Sequence, residues 1–438
     1  MTTQPDTDGR AALRRGLGRW DLTALLVNLV IGAGVLGLPS KAFAAVGLWS
    51  FAALGAAALL AAALVLCFAE LGSRFEDTGG PYLYVRSAFG ELPGFAVGWL
   101  AFVTRPLSAA TLLNLLITYA AGYWPPLAED PWRILALGAI VAALTGVALA
   151  GVRQSAWSNN LLTLAKIGVL LAVAVPGVLI GAGLPMPAPA PLEPGAFTQT
   201  ILLLIFAFVG FESVSIVAGE VRDPRRAFPF AVIAGMGFIT ALYAALLFAC
   251  VKLLPGLAGS ERPIADAARA MGGEAAYQAV IAGAVPVLLG SVGATILLMP
   301  RLLFALAERG QAPRMLAAVH PRRRTPWIAI LLSGAVVLLT TLFNDFLSAL
   351  VFSTTTRILI YIACAAGLLR LRAKRDAPEA AFRVPFGGAV AVLGMIGCVL
   401  VLVVGGWTAL PQLAGVVVLG FALLAATRLL ERRRARHL

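Results

Sequence analysis

Apolar stretches of about 20 residues recur along the whole chain, and this feature decides what it can fold into. Each is long enough to cross a hydrocarbon core of about 30 Å. Inside that core every backbone N–H and C=O needs a partner from the chain itself, so only helices or a closed barrel can cross. Barrel strands alternate polar and apolar residues over about 10 residues, and runs such as 328–341 do not alternate. The pattern predicts an all-α integral membrane protein. Only 13% of the 438 residues are charged and 60% are hydrophobic, against about 25% charged in soluble domains.

Twelve spans fit the pattern, at about 21–46, 48–73, 92–123, 131–150, 156–182, 198–219, 227–253, 276–306, 326–343, 346–370, 386–406 and 408–430. A short amphipathic helix is expected within 75–90 and a short external helix within 255–273. The net charge of +13 would suit a nucleic-acid binder, but the basic residues sit between spans. Arginines precede the first span and follow the second, fourth, sixth, eighth, tenth and twelfth, whereas Glu129, Asp130, Glu193 and Asp345 fall in the opposite gaps. By the positive-inside rule both termini are expected in the cytoplasm, with the chain multi-pass in the cell (inner) membrane. The run 20–46 is longer than the 7–15 residues of a signal-peptide core, so it is expected to stay as the first span. The basic tail 432–436 reads as a topology signal, with contact to anionic lipid as the alternative.

Four cysteines lie far apart in apolar runs, and the two histidines, His320 and His437, lie in basic flanks. Neither type has metal-ligand or disulfide-framework spacing. No metal, cofactor, nucleic-acid partner or enzymatic site is expected.

Two spans carry breaks. The first reads Leu29-Val30-Ile31-Gly32-Ala33-Gly34-Val35-Leu36-Gly37-Leu38-Pro39. Glycine costs a helix interior about 1 kcal/mol and proline about 3. Interrupted membrane helices persist where they line a cavity, and their free N–H and C=O groups bind carboxylates and cations. Close packing through small residues is the alternative. The sixth span reads Phe206-Ala207-Phe208-Val209-Gly210-Phe211-Glu212, a glycine among aromatics beside a carboxylate. Its aromatics are either packing residues or a gate over a substrate.

A helix rises 1.5 Å per residue, which brings Lys166 roughly 14 Å below the membrane edge, level with Ile31 at roughly 16 Å and Gly210 at roughly 15 Å. A lysine at mid-bilayer costs about 3 kcal/mol or more. Three roles are open to it: gaining and losing a proton, standing as a fixed charge in place of a sodium ion, or pairing structurally. Arg105 and Arg357 also fall near mid-depth, with Glu212 as the one clear carboxylate at that level. Arginine does not deprotonate, so each must be paired or wet. They form a structural charge network with Glu212 or contact a substrate carboxylate. Glu70 and Glu220, at span ends, are expected to cap helices or pair with loop arginines.

These elements resemble the amino acid–polyamine–organocation superfamily, specifically its bacterial amino acid permeases. Ile31-Gly32-Ala33-Gly34-Val35-Leu36 is similar to the unwound motif of the first span. Ala69-Glu70-Leu71-Gly72-Ser73-Arg74-Phe75, with Gly79-Gly80-Pro81-Tyr82-Leu83-Tyr84, resembles the second span and the loop after it. The segment 206–229 resembles the sixth span and its exit, and 301–313 the end of the eighth. The likeness covers about residues 18–375. It departs at Gly290-Ser291-Val292-Gly293-Ala294-Thr295, which lacks an asparagine many relatives carry, and at Met299-Pro300.

The resemblance implies a LeuT-like five-plus-five inverted repeat with two extra C-terminal helices. Its parts are a cytoplasmic tail at 1–20, a first repeat at 21–182, a second at 198–370, peripheral spans at 386–430 and a basic cytoplasmic tail at 431–438. It implies that a substrate α-carboxylate binds at Gly32, Ala33 and Gly34. It also implies that the α-amino group binds carbonyls at Ile31 and along Phe206, Ala207, Phe208 and Val209, beside Gly210. Lys166 matches the lysine that replaces a sodium ion in sodium-independent members and is proposed there to couple protons.

The expected activity is secondary active transport of amino acids by alternating access, sodium-independent, with proton coupling or exchange. A transporter of another organic solute, such as a polyamine or small organic acid, is the first rival. A non-transporting receptor or sensor is the second. An intramembrane enzyme lacks a metal cluster or nucleophile–histidine pair.

Overall fold

A computed structural model describes residues 18–435 apart from 76–79, 152–155, 190, 213–220, 222–223, 324 and 406–408. Among the described residues no strand forms. Among them fourteen α-helices follow one another: α1 Arg19–Val30, α2 Ala33–Val46, α3 Trp49–Ser73, α4 Pro81–Phe89, α5 Glu91–Ala120, α6 Trp132–Ala150, α7 Ala156–Gly181, α8 Ala196–Ala207, α9 Pro224–Leu253, α10 Pro263–Glu308, α11 Trp327–Phe343, α12 Phe346–Ala373, α13 Gly387–Gly405 and α14 Leu410–Ala435. Among the described residues, nine helices are long and apolar enough to cross a membrane, or up to ten with α1 and α2 counted as one bent span. The apolar helices α8 and α11 are shorter.

Local sequence accounts for the interruptions. The first span divides after Val30 and turns by 53° into α2. The α10 helix carries non-helical backbone at Gly272 and Gly273, which separates a short leading helix from the long span behind it. Among the described residues, the amphipathic segment after α3 is helical over Pro81–Phe89, with Pro81 in its first turn, where proline loses no hydrogen bond. The last helix runs through Ala435 into the basic stretch.

Large apolar side chains such as Leu59, Leu164, Leu179, Ile233, Leu393 and Val418 are exposed on the outer surface of the bundle. Trp20, Trp49, Trp124, Trp132 and Trp327 are exposed at helix ends, as in the aromatic belts of membrane proteins. The chain is a multi-pass membrane protein.

Helix ends gather on two sides. Thr325 Oγ1 donates to Leu149 O at 3.3 Å, so the segments after α6 and α10 share a face. On the other side Arg262 Nη1 donates to Thr118 O at 3.1 Å and Asn114 Nδ2 to Asn344 O at 2.9 Å. This joins the ends of α5 and α11 to the start of α10.

The packing also has an internal correspondence. α1 lies on α9 as α8 lies on α3; α5 meets α12 as α10 meets α7; and α7 meets α9 as α12 meets α3. In addition, α2 packs on α8 and α5 on α10. These pairings place α5, α10 and the two broken elements at the centre.

Candidate functional site

The first break leaves helix ends open. Ile31 is extended (φ −69°, ψ 101°). Gly32, the residue before α2, has no side chain to cap the N–H groups that follow. The first N–H groups of α2 and the last C=O groups of α1 therefore lose their intrahelical partners. Lys166, from α7, fills the carbonyl side: its Nζ donates to Ile31 O at 2.7 Å, Asn28 O at 3.2 Å and Asn28 Oδ1 at 3.4 Å. Three contacts match the three N–H bonds of an ammonium. Gly32 and Gly34, at the start of α2, line a cavity.

The second break follows α8. Phe208 N donates to Ile205 O and Val209 N to Phe206 O, tightening the last turn. Tyr243 Oη donates to Ala207 O at 2.9 Å. Gly210 then adopts φ +120°, a conformation that favours glycine. Its N–H donates to Glu212 Oε2 at 3.0 Å.

Two glycines let the breaks touch. A Cβ on Gly34 would stand 2.6 Å from Ala207 Cα, and one on Gly210 would stand 2.2 Å from Leu29 O. Each broken element thus presses a glycine against the backbone of the other.

Beside this crossing lies a cavity of about 180 Å³. Both breaks line it, through Ile31, Gly32 and Gly34 and through Phe206, Val209 and Gly210. Lys166, Arg105, Arg357 and Glu212 line it as well. Its volume is below the ~300–1,000 Å³ of sites for drug-sized ligands, which favours a small solute. A second cavity of about 60 Å³ adjoins it through Arg105, Glu212 and Arg357, and extends past Tyr82, Thr104, Leu302 and Tyr361.

The ionisable residues divide clearly. Arg357 Nη1 pairs with Glu212 Oε1, and its Nη2 donates to Ser108 Oγ at 2.7 Å. Tyr361 Oη donates to Glu212 Oε2 at 3.2 Å. Glu212 therefore pairs with Arg357 and not with Arg105. Arg105 feels the fields of both, yet among the described residues it makes no hydrogen bond or ion pair. Glu70 lies elsewhere, at the end of α3, held by Arg74, Arg372 and Val384 N. Glu220 lies outside the described residues.

Two sequence-derived candidates stand back from the cavity: Ala207 packs on Gly34, and Phe208 is fully buried near Tyr243 with ring centroids 5.5 Å apart. The side chain of Ala33 lies outside what the structure describes. Of the three aromatics at the second break only Phe206 faces the cavity. Phe211 packs on Phe68 and Tyr361 instead. Sequence reasoning missed Asn28, Ser108 and Tyr361, which partner the charged residues, and Tyr243, which seals the end of α8. A polar residue inside an apolar span was the available signal for all four. Ser291 and Thr295 also line the cavity, although each donates to a carbonyl of its own helix at 3.0 Å. Among the described residues no group of three His, Cys, Asp or Glu could hold a metal ion.

Apolar helices with a broken first span and a break after α8, meeting beside a small cavity lined by charged side chains, are the architecture of a multi-pass membrane transporter. Sequence comparison narrows the class. The chain belongs to the amino acid permease family, whose profile matches residues 17–422. It is 31% identical to an uncharacterised transporter of Mycobacterium tuberculosis over 96% of this chain and 93% of the relative. It is 27% identical to a branched-chain amino acid permease of Bacillus subtilis, covering 93% and 91%. It is 29% identical to a methylthioribose transporter of the same organism, covering 87% and 86%.

Proposed function

We propose that this protein is a secondary active transporter that moves amino acids across the cell membrane by alternating access. The observation that carries the reading is the interlock of the two breaks around one small cavity. There the uncapped start of α2 offers N–H groups and the positive end of a helix dipole to an α-carboxylate. The α-amino group binds carbonyls of the same two breaks, at Ile31 and along 206–209. Two halves, 21–182 and 198–370, form an inverted five-plus-five repeat, and spans at 386–430 stand outside it. The matched helix pairings, in which each contact recurs five spans later, support that arrangement among twelve spans. The gathering of alternate helix ends on opposite faces supports cytoplasmic termini, given the arginines on one face.

Lys166 is the coupling residue in this reading. Its ammonium group meets carbonyl oxygens at the end of α1, the type of group that would otherwise hold a metal cation. Transport is therefore sodium-independent. Loss of its proton weakens the tie between α7 and α1 and frees α1 to move, so proton binding and cavity access change together. Exchange of one amino acid for another uses the same site.

The relative named a methylthioribose transporter motivates a second reading, transport of another small organic solute. Uptake of radiolabelled amino acids into proteoliposomes separates the readings. We expect an inward proton gradient to drive accumulation with or without sodium, and Lys166→Ala to abolish that drive. Sodium-driven uptake unaffected by Lys166→Ala would overturn the coupling role. Absence of flux for every amino acid, in gradients and in exchange, would move the search to organic acids, polyamines and thiosugars.

A further inference from the structure

Four ionisable side chains line the central cavity, three cationic and one anionic. They are not equally available. Lys166 spends its three N–H bonds on Asn28 and Ile31. Arg357 spends both terminal nitrogens on Glu212 and Ser108. Glu212 accepts from Arg357, Tyr361 and Gly210 N. Arg105 alone of the four has no hydrogen-bond or ion-pair partner among the described residues.

Its position sharpens the point. Arg105 lies in the middle of α5, next to Pro106, far from the carbonyl-rich end of its own helix. It borders both the central cavity and the smaller one beside it. Arg105 is partly buried, and its guanidinium cannot shed its proton, so its charge faces the cavity with no ion-pair partner of its own among the described residues. A guanidinium also matches a carboxylate in a bidentate fork. An anionic group arriving from the cavity would supply the missing partner.

Resting on the transport reading above, we propose that Arg105 is a specificity-determining residue that binds a second anionic group on the substrate. The preferred substrate is then an amino acid with an acidic side chain. Its α-carboxylate lies at the start of α2, and its side-chain carboxylate meets Arg105 toward the smaller cavity. Arg357 does not share this role, because Glu212 and Ser108 hold it in the wall.

Glutamate and glutamine differ by one charge at nearly equal size, as do aspartate and asparagine, so each pair isolates the interaction. The test is competition of each against uptake in proteoliposomes, together with ligand-induced thermal stabilisation of the purified full chain in detergent. In the wild type we expect the acid of each pair to compete better than its amide. Arg105→Gln should weaken the acid by roughly thirtyfold or more, as for removal of one partner of a desolvated charge pair, and leave the amide nearly unchanged. Arg105→Lys, which keeps the charge and loses the fork, should fall between. Wild-type preference for the amide, or an equal loss for both members of a pair in Arg105→Gln, would overturn the assignment. If Arg105→Gln does not fold, wild-type selectivity and Arg105→Lys decide by the same criteria. Uptake of neutral amino acids with no response to acidic ones would refute this assignment alone, whereas no amino acid uptake at all would refute the transport reading and this assignment with it.

Discussion

Two clusters in this protein have the same composition, one glutamate with two arginines, and serve different ends. At the ends of α3 and α12, Glu70 is fully buried between Arg74 and Arg372. Both arginines also reach carbonyls, Arg74 Nη1 to Pro378 O and Arg372 Nη2 to Val384 O, both at 2.9 Å. Val384 N donates back to Glu70. The surplus positive charge also sits at two helix C-termini, where it is favoured. In the central cluster Glu212 takes one of the two arginines, Arg357, along with Tyr361 and Gly210 N, and Arg105 lines the cavity. The first cluster is closed and straps residues 378–384 onto the helix ends. The second keeps one cation in reserve. A shared composition therefore does not indicate a shared role; whether each arginine already has a carboxylate partner is what differs between the two clusters.

Removing the carboxylate tests this contrast most directly. Glu70→Gln leaves two arginines buried without their counter-charge, so we expect the largest loss of stability, about 3–5 kcal/mol, in equilibrium unfolding of detergent-solubilised protein. Glu212→Gln should cost less, about 1–3 kcal/mol, because the cavity can admit water to Arg357 and Arg105. Equal losses for the two variants would break the distinction between a closed and an open cluster. Tyr361→Phe removes one of several donors to Glu212 and should cost less than Glu212→Gln, about 0.5–1 kcal/mol, the smallest of the three by the same assay. A larger loss would mean that Tyr361, and not Arg357, carries most of the hold on Glu212.

Much of the fold was legible in advance because the membrane restricts the choices. A run of 20 apolar residues has one stable solution, and glycine with proline inside such a run marks where that solution fails. The break at Gly32 was visible for this reason, as was the interruption at Gly210. Depth was legible too, since helical rise alone sets Lys166, Arg105, Glu212 and Arg357 near one level. Rotation about each helix axis was not, because nothing in one helix says which neighbour its faces meet. Phe208 could have faced the cavity on sequence grounds, and it packs on Tyr243 instead.

The sequence by itself determined that the chain is a helical membrane protein, that its helices break at Gly32 and near Gly210, and which ionisable residues share the mid-membrane level. These follow from local chemistry, the need of every backbone group for a partner and the cost of burying charge. Only the tertiary structure decided that Gly34 meets Ala207 and Gly210 meets Leu29, that Lys166 closes the end of α1, and that Glu212 takes Arg357 and leaves Arg105 to the cavity. Those choices depend on how helices distant in sequence are turned toward one another, and that angle is set by packing across the whole bundle.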